Sequence, residues 1–164
     1  MKRAEFGNER LQLIRELYHY NSKTRKRYLR TIFRKVPEKE RYTDRGASFP
    51  SIVDIFIHII DAYRFWFLFV YCGKVEEYRP LRETEMFTER RAREEERRID
   101  SYMLRFLDRL RPVDLKRIVR LGKRRLILHD ILVHMVEEEL QHRGELNALF
   151  WQAGVEPPLV EWGG

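Results

Sequence analysis

The chain has 164 residues, of which 43% are hydrophobic and 36% are charged. This composition is too apolar for a disordered chain and too charged for a membrane protein, and the length fits one domain spanning residues 1–164. The net charge of +7 permits contact with nucleic acid or anionic surfaces without selecting either. The high charge, with only three Asn and three Gln, is typical of thermophile proteins.

Three features bear on the compartment. Cys72 is the only cysteine, so no disulfide can form within the chain, as is usual in a reducing cytosol. The opening MKRAEFGNER lacks the apolar stretch of a secretory signal. The apolar run 52–72 includes two Asp, one His and one Arg, which are costly in lipid. We therefore expect a cytoplasmic protein without a membrane span.

The first predicted helix runs from about Asn8 to Val36. Apolar residues recur there at helical spacing, and Pro37 marks its end. Much of the basic excess lies between Lys23 and Lys35. We interpret this run as a solvated helix face in preference to a binding patch.

The second helix is predicted to start near Ser51, with Asp54 completing a short form of the capping box. It is apolar nearly all round, so it is expected at the centre of the fold, and Gly73 is a natural stop. Its polar exceptions, Asp54, His58 and Asp61, are spaced by four and three and share one face.

Two further helices are separated by a hairpin. A third helix is predicted over Thr88 to Leu110, with a charge-rich first half expected to be exposed. Two short strands about Gly122-Lys123 are predicted between Asp114 and Ile127. A fourth helix follows from about His129 to Trp151. Four long helices in one compact chain predict an all-α four-helix bundle with a short β-hairpin before the last helix.

The last helix carries a pattern that suits a metal ion. His134, Glu138 and His142 are spaced by four and four, so Glu138 and His142 lie about 6 Å apart along one helix face. A third ligand must come from another helix, and His58 is the best candidate because an unpaired imidazole is costly in so apolar a segment. Two His and one carboxylate leave open coordination positions, as in catalytic sites. For each His alone, the alternative is a hydrogen-bonded core residue.

Two segments carry a family resemblance. GASFPSIVDIFIHIIDAYRFW resembles the second helix of DinB-like proteins, and LHDILVHMVEEELQHRGELNALFWQAGVEPP resembles their last helix, with HRGE and GVEPP its most specific parts. The resemblance spans most of the chain and implies a DinB-like bundle. In this family one His of helix two and two side chains four apart on the last helix hold the metal. The resemblance therefore implies His58, Glu138 and His142 as ligands.

The sequence departs from the commonest family pattern. Glu138 stands where most members have His, Gln141 where a further His is frequent, and Glu145 where Gln is usual. Mycothiol-dependent maleylpyruvate isomerase, a relative, likewise uses His, Glu and His. The departure changes the ligand set to two His and one Glu without removing it. We expect a divalent ion, with zinc first and nickel, iron or manganese as alternatives.

The resemblance implies a metal-dependent enzyme. A thiol-dependent S-transferase or isomerase acting with a low-molecular-weight thiol is expected first, and a metal-dependent hydrolase next. Asp61 is a candidate outer-shell partner of His58, with an ion pair to Arg64 as the alternative, and His134 is a candidate pocket residue. A nucleic-acid-binding protein and a structural bundle with a vestigial site remain as alternatives. We expect a homodimer, a small-molecule substrate and only weak, salt-sensitive contact with nucleic acid.

Overall fold

A computed structural model of the protein describes residues 2–83 and 87–159. Four long helices build a bundle, and the predicted all-α fold with a hairpin before the last helix is confirmed. The α-helices are α1 (Lys2–Arg34), the short α2 (Glu38–Tyr42), α3 (Ile52–Tyr63), α4 (Glu89–Arg109) and α5 (Leu128–Gln152). The strands are β1 (Ile118–Leu121) and β2 (Arg124–Ile127), and short 3₁₀ turns lie at Val75–Glu77, Leu81–Glu83 and Pro112–Lys116.

The second predicted helix is central, as expected, but it is not a single α-helix. Ser51 caps α3 by accepting a hydrogen bond from the Asp54 backbone N–H at 3.2 Å. Ten of the twelve residues of α3 are buried. From Arg64–Val70 the chain continues as a π-helix, which spacing alone did not predict. None of the described helices is long and apolar enough to cross a lipid bilayer.

The hairpin lies where it was predicted. β1 and β2 pair antiparallel, with Val119 opposite Leu126. The turn between them needs a residue with positive φ, and Gly122 supplies it at 56°. The backbone N–H of Leu128, the first residue of α5, bonds to the Arg117 carbonyl at 2.9 Å. The hairpin therefore sets the start of the helix that carries most of the candidate site.

A cluster of charged side chains lies inside the bundle, contrary to the expectation that the first half of the third helix is exposed. Glu95 and Glu96 of α4 are each only 2% exposed. Arg25, from the basic run of α1, is 1% exposed and places Nη1 2.8 Å from a Glu139 carboxylate oxygen. It also lies 3.6 Å from Glu96 and 3.8 Å from Asp100. Arg25 and its three carboxylates are buried as one ion-paired group, whereas Glu95 pairs with Arg91 at 3.0 Å. Part of the basic run is therefore core.

Candidate metal centre

The residues predicted as metal ligands come together where α3 packs beside α5. His58 lies in the middle of α3, while Glu138 and His142 lie one turn apart on α5. One ligand atom from each residue lies within 4.8 Å of the other two. Two helices far apart in sequence therefore present three ligand atoms to one point, and the group can hold a metal ion.

The two imidazoles converge on one carboxylate oxygen. Nε2 of His58 lies 2.9 Å from Oε1 of Glu138, and Nε2 of His142 lies 3.3 Å from the same atom. The imidazole rings are 4.6 Å apart and nearly perpendicular, at 80°. The side chains of His58 and Glu138 are 25% and 23% exposed, whereas that of His142 is 6% exposed. Part of the site thus reaches solvent while His142 anchors it in the bundle.

The surroundings favour the protonation states that bind a metal. Burial lowers the pKa of His58, and the hydrogen bond to Glu138 opposes that effect without reversing it. Burial alone raises the pKa of Glu138, but the hydrogen bond with His58 and the neighbouring His142 bring it below its ordinary value. Near neutral pH the site therefore offers an uncharged His58 and a carboxylate.

A second carboxylate orients His142. Nδ1 of His142 lies 3.2 Å from Oε2 of Glu145, and the hydroxyl of Ser48 donates a hydrogen bond to that same oxygen. A carboxylate on the distal nitrogen fixes the tautomer and ring plane of a ligating His and makes Nε2 the better ligand. The sequence analysis noted Glu145 only as a departure from Gln. The signal for its role was its position three residues after His142 on one helix face.

An aromatic ring from the loop before α3 covers the imidazoles. Phe49 stacks on His58 with ring centroids 4.0 Å apart, and its ring meets His142 edge-on at 5.6 Å. The guanidinium of Arg82 lies 4.9 Å from the centre of the same Phe49 ring. Sequence reasoning missed Phe49, because helical spacing says nothing about a residue in a loop. The ring limits the access of water to one side of the ligand group.

The two candidate supporting residues occupy different places. His134 lies at the solvent edge, with Nε2 3.8 Å from the second Glu138 oxygen and its ring edge-on to Trp66. Asp61 forms the ion pair with Arg64 that was its alternative role. Its carboxylate also accepts hydrogen bonds from the Tyr78 hydroxyl at 2.7 Å and the backbone N–H of residue 81 at 3.1 Å. These contacts fix the segment after α3.

The fold and the ligand group define a class: a helical bundle with a candidate metal centre between two of its helices. A sequence model of the DinB family matches residues 4–163, and the chain belongs to this family. Its structure is similar to the crystal structure of YjoA, a DinB-like protein from Bacillus subtilis, with a TM-score of 0.66 and 17% sequence identity. The similarity covers 90% of this chain and 99% of YjoA. No functionally curated protein shows significant similarity to the sequence.

Proposed function

We propose that this protein is a metal-dependent enzyme, a thiol-dependent S-transferase or isomerase in the first place and a metal-dependent hydrolase in the second. The observation that carries the proposal is the convergence of His58, Glu138 and His142 within 4.8 Å. Exposed acidic groups often cluster without an ion. Here, two of the three ligands are imidazoles, and His142 is buried.

The donor set fits one divalent ion. Bonds of about 2.0–2.2 Å to His nitrogen and carboxylate oxygen separate neighbouring ligand atoms by about 3–3.5 Å in tetrahedral or octahedral geometry. The distances of 2.9 Å from Glu138 to His58 and 3.3 Å from Glu138 to His142 agree with that spacing. Two imidazoles and one carboxylate form a ligand set that catalytic zinc sites use, and nickel, iron and manganese accept the same donors. We therefore propose zinc as the native ion.

Three protein ligands leave coordination positions for substrate or water. An ion bound there would polarise a substrate oxygen, activate water or lower the pKa of a thiol. The protein's own residues would supply orientation and shielding. Glu145 holds the plane of the His142 ring, and Phe49 covers His58. His134 lies at the open edge, 3.8 Å from Glu138, and its proposed role is to contact a bound substrate.

Metal analysis tests the first half of the proposal. The protein is stripped with a chelator, reconstituted separately with zinc, nickel, ferrous iron and manganese, and desalted before elemental analysis. We expect one equivalent of zinc in the wild type and less than one tenth of that in His58→Ala, because two ligands on one helix face do not close a site. A wild type without stoichiometric metal after every reconstitution overturns the proposal.

Parallel assays test the second half. Conjugation of mycothiol, bacillithiol or glutathione to 1-chloro-2,4-dinitrobenzene reports thiol transfer, and release of 4-nitrophenol from its acetate ester reports hydrolysis. Thiol transfer that requires metal and is lost in His58→Ala supports a thiol-dependent transferase. Hydrolysis with the same dependence supports a metal-dependent hydrolase. A fully loaded protein that accelerates neither reaction argues for a structural role of the ion.

A further inference from the structure

A cavity lies on the face of α5 opposite the proposed metal ligands. It has a volume of about 450 Å³, is open to solvent, and is bordered by α1, α5 and the segment that follows α5, with Arg143 in its wall. Residues 140, 143, 144, 147 and 151 line it from α5, whereas the metal ligands and Glu145 project from the other side of that helix. The bond from Arg27 Nη1 to the Leu159 carbonyl, 3.1 Å long, holds the closing segment on α1.

Arg143 is the unusual feature of this cavity. It is 6% exposed, and its Nε and Nη1 have no hydrogen-bond partner among the described residues. Its guanidinium lies 5.3 Å from the centre of the Tyr20 ring, a contact that stabilises the charge only partly. Arg25, the other buried arginine of this region, is surrounded by three carboxylates instead. No carboxylate among the described residues forms an ion pair with Arg143. Because burying an unpaired cation is costly, its position in a cavity wall favours an anionic ligand.

The remaining wall specifies the ligand more closely. The Oδ1 atom of Asn147 accepts a hydrogen bond from the Tyr28 hydroxyl at 2.6 Å, which leaves the amide N–H₂ to donate. Trp151 is 63% exposed and Leu140 50% exposed, and both line the cavity, so its rim is apolar. Glu156 is an exposed acid in the wall, and it disfavours a ligand with more than one negative charge. These features favour a monocarboxylate over a phosphate.

We propose that this cavity binds a small molecule with one carboxylate and an aromatic or apolar body. The guanidinium of Arg143, whose Nε and Nη1 are buried, supplies one charge-assisted hydrogen bond to the carboxylate from its remaining nitrogen. The Asn147 amide adds a neutral donor, and the indole of Trp151 covers the apolar body of the ligand. The cavity volume lies within the range of small-molecule sites.

Calorimetric titration of the chelator-treated protein tests this site with three matched probes: 2-naphthoate, its neutral analogue 2-naphthamide, and 2-naphthyl phosphate. We expect one saturable site for naphthoate, and binding about tenfold weaker or worse for the amide, because a charge-assisted hydrogen bond is lost. The phosphate should also bind more weakly than naphthoate. Tighter binding of the phosphate, equal binding of the amide, or no saturable binding of naphthoate below about 1 mM overturns the proposal.

Three variants locate the binding. Arg143→Gln should weaken naphthoate about tenfold or more, through the loss of the charged donor. Gly144→Leu should abolish binding by filling the cavity, because a Cβ at Gly144 meets no atom within 4 Å and Leu is a better helix former than Gly. It keeps the test valid if Arg143→Gln does not fold. His58→Ala should bind naphthoate as the wild type does. Loss of binding in His58→Ala with full binding in Gly144→Leu would assign the probe to the metal centre and refute the second site.

Discussion

Replacement of His58 distinguishes two interpretations of the ligand group: a metal-binding site, or a cluster of polar side chains that binds no ion. His58 is the only one of the three proposed ligands on α3, so His58→Ala leaves two ligands on α5. The matched control is His134→Ala, which removes an imidazole one turn from Glu138, 3.8 Å from its second oxygen and outside the ligand group. Both variants remove the same chemical group beside the same carboxylate. Only the first should remove the response to metal.

The expected magnitude follows from linkage between binding and folding. A free ion at about 100 times its dissociation constant stabilises the folded state by about 2.7 kcal/mol. For a chain of this size each kcal/mol shifts the melting temperature by about 2–4 °C, so zinc should raise it by about 5–11 °C. Without metal, loss of the His58 hydrogen bond should cost about 1 kcal/mol. Differential scanning calorimetry with chelator and then with zinc measures both terms.

The outcome is read from the zinc-dependent shift alone, since each variant changes the metal-free stability by its own amount. We expect the full shift in the wild type and His134→Ala, and almost none in His58→Ala. A shift of several degrees in His58→Ala would mean that the ion is held elsewhere. A loss of the shift in His134→Ala that matches the loss in His58→Ala would make His134 a ligand and refute the proposed set.

Three further predictions concern the side chains behind the site. Glu145→Gln should weaken zinc about 10–100-fold in a competition titration, because the neutral amide orients the His142 ring less well; unchanged affinity contradicts this role. Arg25→Met should destabilise the protein by about 3–5 kcal/mol in denaturant unfolding, because Glu139 and its acidic neighbours lose their counter-charge; a cost below about 1 kcal/mol would refute their interaction. Although burial opposes it, hydrogen bonds from Lys26 and Ser22 lower the pKa of Asp100, so this carboxylate stabilises the fold above its unfolded pKa and that stability is lost as pH falls through the folded pKa. In Asp100→Asn, the free energy of unfolding should therefore fall less steeply below about pH 4 than in the wild type. An unchanged pH dependence in this range would contradict the role of Asp100.

The elements that the sequence predicted are those with a local physical cause. Periodic apolar residues, together with Gly or Pro residues that end helices, determine the long helices. A Gly at the turn determines the hairpin. The π-helix at Arg64–Val70 has no such pattern, because all of its residues after Arg64 are apolar and show no periodicity that separates a π-helix from an α-helix. The backbone N–H of Tyr71, directly after this segment, bonds to the Trp66 carbonyl five residues earlier at 2.8 Å. This π-type hydrogen bond depends on how the surrounding side chains pack.

The buried charges could not be predicted from local sequence either, because their pairing depends on contacts between distant segments. A basic run on a helix is ordinarily solvated, and Arg25 looks like its neighbours in sequence. Its partner Glu139 lies 114 residues away, so the pairing exists only once α1 meets α5. The proposed ligands were easier to find, because an imidazole in an apolar helix is conspicuous and Glu138 and His142 show their spacing directly. Phe49 depends on a tertiary contact with His58, whereas Glu145 carried a local signal, its i, i+3 spacing from His142, that the sequence analysis did not use.

The buried charges and the candidate metal centre are connected through two adjacent residues of α5. Glu138 contacts His58, while Glu139, rotated about 100° around the helix, accepts hydrogen bonds from Arg25 of α1 and the Tyr63 hydroxyl of α3, each 2.8 Å long. Tyr63 lies five residues after His58 on the same helix. The contacts of Glu139 therefore fix the rotation of α5 against α3, and that rotation aims the Glu138 carboxylate at His58. The charges inside this bundle are costly to bury, and they set the geometry on which the ligand group depends.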